Sequence, residues 1–278
     1  MTLAPTAWRL LSCVPLVIAA LATYTITECA RLTFEANILP ASMRFPPISL
    51  FGIRPGSPEQ SLYAHGFLAV AGLHVVCILP IASFLRTHVE RERSGDVTKA
   101  TWSSIVAFVA LAVHGVVPLH EDVLKLVRGH RGPVGGEVQN AVHQGAAAVF
   151  FLVSMYHGWV VIQLMMSSTA LPIAVKAGGR GGRVAVGAKM LCLALQFFPA
   201  LVSLLLHPAS RALLGLEGLE LSAQDKVGLS QWWTVGAVAA FYLTYSIDCL
   251  NIASYVEEAG AERERGSGGW GGGRERGG

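Results

Sequence analysis

Histidine is the residue type with which this sequence could do the most chemistry, because a neutral imidazole serves as a base, a hydrogen-bonding group or a metal ligand. His143 and His157 lie in the stretch from Gly136 to Met166, which begins polar and then runs apolar. The apolar run is about 20 residues long, which is the length that an α-helix needs to cross a membrane. His65 and His74 lie in a second such stretch. Ionisable groups inside a membrane are costly, so we expect functional residues among these histidines.

Two kinds of cofactor site would use such histidines as ligands. Histidine pairs on two spans are typical of transmembrane haem cytochromes, but nine residues separate His65 from His74, whereas fourteen separate His143 from His157. At 1.5 Å of rise per residue these pairs do not match well, so a haem cytochrome stays an alternative only. A zinc hydrolase would need three converging ligands, and neither H-x-x-x-H nor H-E-x-x-H spacing occurs. We therefore predict no cofactor and no metal site.

The composition predicts a polytopic membrane protein. Of the 278 residues, 53% are hydrophobic and only 14% are charged, and the mean hydropathy is +0.51. The net charge of +3 is small, and no basic stripe interleaved with aromatic residues occurs, so we expect no nucleic-acid partner. The five cysteines show no CxxC spacing and indicate neither a disulfide framework nor a cysteine metal site.

The elements that must position the histidines are membrane helices. We predict an all-α fold with six transmembrane helices at residues 7–27, 62–85, 102–119, 140–166, 187–206 and 230–252. A Pro-rich loop at 28–60 and a flexible basic loop up to Lys189 connect spans, and a disordered Gly-rich tail follows at 256–278. The first span could instead be a cleaved signal ending near Ala20-Leu21-Ala22, although its length favours a retained helix.

The distribution of basic residues predicts the orientation. If the N-terminus is cytosolic, 13 Lys and Arg residues fall on the cytosolic side and 8 on the other. Basic residues accumulate on the cytosolic side of membrane proteins, so both termini are predicted to be cytosolic. Spans two, four and six then run inward, and their first residues lie at the lumenal or outer face.

Three separated stretches contain motifs that one family of membrane proteins combines. The loop FPPISLFGIRPGSPEQ is similar to P-Y-I-S-D-T-G followed by P-E, with Leu50 in place of the acid. The matching residues there are Pro46, Ile48, Ser49, Gly52, Pro58 and Glu59. AVHQGAAAVFF is similar to V-H-D-G-G-A, with His143 on the motif histidine and Gln144 in place of the acid. QWWTVGAVAAFYLTYSIDCL is similar to E-W-T-V running to a terminal Q-D, with matches at Trp232 and Asp248 and with Gln231 in place of Glu. Together these stretches resemble the damage-regulated autophagy modulator (DRAM) group, which is related to the Sfk proteins and to the N-terminal part of the Cwh-type cell-wall proteins.

The resemblance implies a function at membranes. We expect a non-enzymatic protein that regulates autophagy or membrane-lipid organisation, with membrane lipid as its partner. The expected location is the lysosome, endosome, Golgi or plasma membrane. A lipid-modifying enzyme related to GPI-anchor remodelling, with His143 as its base, is the alternative. The missing acids at Leu50, Gln144 and Gln231 put any catalytic or ion-binding role of the family in question.

The candidate site is expected at the lumenal or outer face, where spans two, four and six meet the Pro-rich loop. Its residues are His143, His65, Glu59, Ser49, Gln144 and Gln231. His157 has no motif around it and is interpreted as a helix-packing residue. Asp248 near the end of span six is interpreted either as a family-like residue or as an ordinary interfacial acid.

Overall fold

The structure, a computed structural model, describes residues 3–40, 43–128, 133, 135–172, 175, 179–198 and 222–268. Regular secondary structure in these ranges is helical throughout, which confirms the predicted all-α class. The described α-helices are α1 (Pro5–Leu11), α2 (Val14–Glu35), α3 (Pro58–His88), α4 (Ser94–Val116), α5 (Asp122–Val127), α6 (Glu137–Ser167), α7 (Arg180–Gln196) and α8 (Ala223–Gly268). Two short 3₁₀ helices occur at Ile48–Leu50 and Arg91–Arg93.

Five helices of the described chain are long and apolar enough to cross a membrane, so the chain is a multi-pass integral membrane protein. Their ranges are Pro5–Glu35, Pro58–His88, Arg91–Val116, Glu137–Ser167 and Gln224–Arg265. They coincide with five of the six predicted spans. The remaining predicted span, 187–206, falls on α7 as far as Gln196, and residues 199–206 lie outside the described part.

The loop between the first two spans is shorter than predicted. α2 continues to Glu35, where the sequence predicts a loop from residue 28, and α3 already begins at Pro58. Arg31 pairs with Glu28 and with Glu35, both at 2.5 Å, and such pairs one turn apart stabilise an exposed helix end. A hydropathy pattern misses this extension because the apolar run ends before it.

α7 begins at Arg180, so its first turns occupy a segment that the sequence predicts to be a flexible basic loop, up to Lys189. Gly182 is buried, and a Cβ atom on Gly181 would lie 2.4 Å from the side-chain oxygen of Asn251 on α8. The other end of α7 lies beside an earlier part of α8, where the indole N–H of Trp233 donates to the carbonyl of Leu195 at 2.9 Å. α7 and α8 are therefore antiparallel, and the small residues permit close helix approach.

α8 is longer than predicted and continues to Gly268, so residues 256–268 are helical where the sequence predicts a disordered tail. Ala, Glu and Arg, which favour helix, are frequent in this segment. Arg9 on α1 pairs with Glu257 on α8 at 2.6 Å, which places α1 beside the C-terminal part of α8. The rest of the predicted tail, residues 269–278, lies outside the described residues.

Helix ends collect on two faces of the bundle. One face, here called the mouth face, carries α5, the loop 43–57, which we call the mouth loop, and the first residues of α3, α6 and α8. The opposite face carries α1, the turn between α3 and α4, and the end of α6, where Arg93 donates to the Ser167 hydroxyl at 2.5 Å.

Glu90 connects the turn between α3 and α4 with the segment after α6. Its carboxylate accepts hydrogen bonds from the hydroxyls of Ser168 and Thr169, both at 2.6 Å, and from the backbone N–H of Ala170 at 2.9 Å. Because these donors stabilise the charged form, they hold the pKa of the Glu90 carboxyl well below its usual range. The hydrogen bonds thus stabilise the connection most strongly while Glu90 is ionised.

We expect Glu90→Gln to lower the unfolding temperature at neutral pH more than Glu92→Gln, a control at an exposed position in the neighbouring turn. The folded-state pKa is lower than the unfolded value of about 4.3, so the stabilisation is present above that pH and declines as the pH falls below it. Thermal unfolding in detergent, followed from neutral to acidic pH, should show the difference between wild type and Glu90→Gln narrowing below a pH of about 4. A difference that stays constant over this range would contradict the role given to Glu90.

Candidate functional site

The mouth loop is held against the start of α8 by hydrogen bonds to its backbone. The Asp225 carboxylate accepts from the N–H groups of Arg44 and Phe45, both at 2.8 Å. The indole N–H of Trp232 donates to the carbonyl of Pro46 at 3.0 Å. These bonds position the loop although most of it has no regular secondary structure.

Gln231 on α8 faces Ser49 on the mouth loop. Its Oε1 accepts from the Ser49 N–H at 3.3 Å, and its Nε2 donates to the Ser49 hydroxyl oxygen at 3.4 Å. The loop comes this close because residue 228 is glycine: a Cβ atom there would lie 1.7 Å from the carbonyl oxygen of Phe45. The first and third family-like stretches therefore contact each other directly.

A cleft opens beside this contact, among the mouth loop, α5, α6 and α8. It contains about 1150 Å³ of empty space, including open solvent at its entrance. Its polar lining residues are Ser49, His114, His143, Gln144, Gln224 and Gln231. Four of these are among the six residues predicted for the candidate site. Among the described residues that line the cleft, none is Lys, Arg, Asp or Glu, so the lining is polar but carries no formal charge when the histidines are neutral.

His143 is the buried imidazole in the wall of this cleft, with 1% of its surface exposed. Its Nδ1 lies 2.7 Å from the carbonyl oxygen of Val117, which can only accept, so Nδ1 carries the hydrogen. In the neutral ring Nε2 is then an unprotonated acceptor, and it is buried without a hydrogen-bond partner among the described residues. Buried polar atoms are nearly always hydrogen-bonded, so this atom requires an explanation.

His114 on α4 lies next to His143, with 3.9 Å between the two ring centroids. Its Nδ1 donates to the carbonyl of His143 at 3.2 Å, and its Nε2 accepts from the Tyr63 hydroxyl at 2.9 Å. His114 is not among the residues that the sequence predicts for the site. The signal that could have identified it is its position in the last turn of α4, at the same end of the bundle as the start of α6.

His65 does not join the cleft, which corrects the prediction that it accompanies His143. Its ring is exposed, and its Nδ1 donates to the Ser61 carbonyl on its own helix at 2.7 Å. The buried side of α3 carries Tyr63 and Phe67 instead. Since each residue turns a helix by about 100°, residue 65 lies on a different side from both.

Glu59 is likewise absent from the described cleft lining, because it is buried in an ion pair with Arg54 at 2.6 Å. Pro58 begins α3, and Gly52 leaves room for the Tyr63 ring, since a Cβ atom there would lie 3.0 Å from it. These family-like residues shape the mouth loop rather than line the cleft.

An apolar cavity of about 800 Å³, again including open space, lies next to the cleft within the bundle. It lies among α2, α3, α4, α6 and α8 and shares His114, Ala147 and Gln231 with the cleft lining. Its other lining residues include Ile18, Ile48, Phe67, Phe108, Phe150 and Tyr242. A polar entrance and an apolar interior thus adjoin each other within the membrane-spanning helices.

Asp248 does not lie at this site but near the middle of α8, in a buried cluster with Lys189. The Lys189 ammonium lies 2.7 Å from Asp248 Oδ2, donates to the Thr244 hydroxyl, and is 4.4 Å from the centre of the Tyr245 ring. Lys189 is fully buried and Asp248 is 4% exposed. The prediction that Lys189 lies in a flexible loop is therefore wrong. The interpretation of Asp248 as an ordinary interfacial acid is wrong as well.

His157 joins three helices in the same region. Its Nε2 accepts from the Tyr245 hydroxyl at 2.5 Å, and its Nδ1 donates to the carbonyl of Ala100 at 2.8 Å. Both ring nitrogens of His157 are thus engaged, and His65 faces outward. The geometry therefore favours neither His65 with His143 nor His74 with His157 as a pair of haem ligands.

The chemistry available at the cleft is hydrogen bonding by amides, a hydroxyl and imidazoles, next to an apolar cavity. Among the described residues, no group of three or more His, Cys, Asp or Glu side chains could hold a metal ion. No protein-family model matches this chain, and no match is found among curated proteins or among solved structures.

Proposed function

We propose that this protein binds a membrane lipid between its helices and acts, without catalysis, in membrane-lipid organisation. The observation that carries the proposal is the shared lining of the polar cleft and the apolar cavity. A lipid has the same two parts, and ligand sites typically combine an apolar pocket with a few placed polar groups. The headgroup lies beside Gln144 and Gln231, and the hydrocarbon chain lies beside Phe108 and Phe150.

The resemblance to the DRAM group supports a role in autophagy or lipid organisation within the endomembrane system, at the lysosome, endosome or Golgi, or at the plasma membrane. Two of the three family-like stretches contact each other through Ser49 with Gln231 and through Pro46 with Trp232.

The proposal includes a sixth span on α7 and cytosolic termini. The antiparallel contact of α7 with α8 and the pairing of Arg9 with Glu257 support an even number of crossings, which puts both termini on one side. Because Lys189 is buried, twelve rather than thirteen basic residues count toward the cytosolic side, against eight on the other. The bias that favours cytosolic termini remains.

Lipid that co-purifies with the protein provides the test. Ala147 lines both the cleft and the cavity, so Ala147→Leu should narrow their junction and lower the amount of bound lipid several-fold, measured by mass spectrometry of extracts from protein in mild detergent. Ala148→Leu is the matched control, because the neighbouring side chain is exposed and lines neither space. Equal lipid content in wild type and both variants would count against the proposal.

A lipid-modifying enzyme is the second candidate, favoured by the unpartnered Nε2 of His143, which could accept a proton. The described cleft places the Ser49 hydroxyl beside Gln231 rather than beside a histidine, so it offers no activated nucleophile. Lipid hydrolysis or acyl transfer by the purified protein that disappears in His143→Ala would favour this candidate over the non-enzymatic one.

A further inference from the structure

We infer that the lipid held in the cleft is an uncharged one with a free hydroxyl group, and that this hydroxyl donates a hydrogen bond to Nε2 of His143. The inference rests on the proposed function and specifies its ligand. It distinguishes a diacylglycerol-like lipid from the phospholipids that make up most of a membrane.

The unpartnered Nε2 of His143 requires a hydrogen-bond donor. Val117 fixes the hydrogen on Nδ1 of His143, so Nε2 can only accept as long as the ring is neutral. The neighbouring imidazole does not supply a donor, because His114 uses Nδ1 toward the His143 carbonyl and Nε2 toward Tyr63. A ligand that satisfies Nε2 must therefore bring an O–H or N–H group.

The cleft and the cavity favour an uncharged ligand. The described lining of the cleft and of the cavity contains no Lys or Arg to pair with a phosphate and no Asp or Glu to pair with an ammonium group. Burying an unpaired charge is far more costly than burying a hydroxyl that is hydrogen-bonded. Of the common headgroup donors, a hydroxyl therefore fits better than the ammonium group of a zwitterionic lipid.

The remaining polar groups of the cleft include three side-chain amides, which are uncharged. The amides of Gln144, Gln224 and Gln231 offer donors and acceptors to ester or amide groups next to the ligand hydroxyl. They are uncharged, so they do not compensate a phosphate as a basic pocket does. The hydrocarbon chain then continues into the cavity beside Ala147.

The test compares three lipids with identical chains on the full protein in phosphatidylcholine nanodiscs: dioleoylglycerol, its 3-O-methyl ether and dioleoylphosphatidic acid. Binding is measured by native mass spectrometry. Wild type should bind dioleoylglycerol about three- to tenfold more tightly than the methyl ether, which is the range for one neutral hydrogen bond. His143→Phe should abolish this preference, whereas His65→Phe, the control at the exposed histidine, should retain it.

Three outcomes contradict the inference while leaving the lipid-binding function intact. They are equal binding of dioleoylglycerol and its ether by wild type, tighter binding of phosphatidic acid, and an unchanged preference in folded His143→Phe. The comparison of the two neutral lipids uses wild type alone, so it decides the question even if His143→Phe does not fold. If none of the three lipids binds, the lipid-binding function itself fails together with the inference, whereas binding without hydroxyl preference overturns only the inference.

Discussion

Lys189→Met is expected to lower the free energy of unfolding by about 3–5 kcal/mol, because it leaves the carboxylate of Asp248 buried without its counter-ion. The pair is desolvated on both sides, with Lys189 fully buried and Asp248 4% exposed. Its Nζ–Oδ2 distance is 2.7 Å, and Asp248 Oδ1 has no hydrogen-bond partner among the described residues. Little else is therefore available to compensate the charge when the lysine is removed.

The double variant Lys189→Met with Asp248→Leu should recover most of this loss, since a buried ion pair replaced by apolar residues is often neutral in stability. Unfolding by titration of denaturant into the detergent-solubilised protein measures both effects. Lys226→Met is the control, because it removes an exposed lysine of α8 and should change stability by less than about 0.5 kcal/mol. If Lys189→Met resembled this control, the ion pair would not contribute to the fold as its burial implies.

Gly228→Ala is expected to displace the mouth loop from α8. The new Cβ atom would lie 1.7 Å from the carbonyl oxygen of Phe45, which is backbone and cannot move by a change of rotamer. Such overpacking typically costs about 1–3 kcal/mol. The displacement should break the contact of Trp232 with Pro46 and of Gln231 with Ser49, and with them one wall of the cleft.

Limited trypsin digestion measures this displacement, because Arg44 is an exposed cleavage site within the mouth loop. Cleavage after Arg44, quantified by mass spectrometry, should be faster in Gly228→Ala than in wild type, and bound lipid should decrease in parallel. Gly236→Ala on the same helix is the matched control, since no described atom lies within 4 Å of its Cβ position. The same cleavage rate in both variants would contradict the close approach of loop and helix.

The sequence by itself determines that the chain is helical and membrane-spanning. The free energy of transferring a side chain into lipid depends on residue type, so apolar runs of sufficient length mark the spans. It also predicts polar, uncharged side chains at Gln144 and Gln231, and both line the cleft. The absence of charged residues from the described lining is decided by the tertiary structure, because Glu59, which the sequence assigns to the site, pairs with Arg54 outside the cleft.

Helix ends are less well determined. α2 and α8 both extend beyond their apolar runs, since ion pairs such as Arg31 with Glu28 or Arg9 with Glu257 stabilise polar turns that hydropathy assigns to loop or tail. α7 is a similar case, because Gly181 permits its close contact with Asn251 of α8, although the glycines of this segment in isolation predict flexibility.

Only the tertiary structure decides which of the histidines meet. His65 and His143 both lie near the mouth face, yet the rotation of α3 about its axis turns His65 outward and leaves His143 beside His114. In the same way the partner of Asp248 is Lys189, which is 59 residues away in the chain. Such pairings depend on helix rotation and on contacts between distant segments, which no pattern along a single chain records.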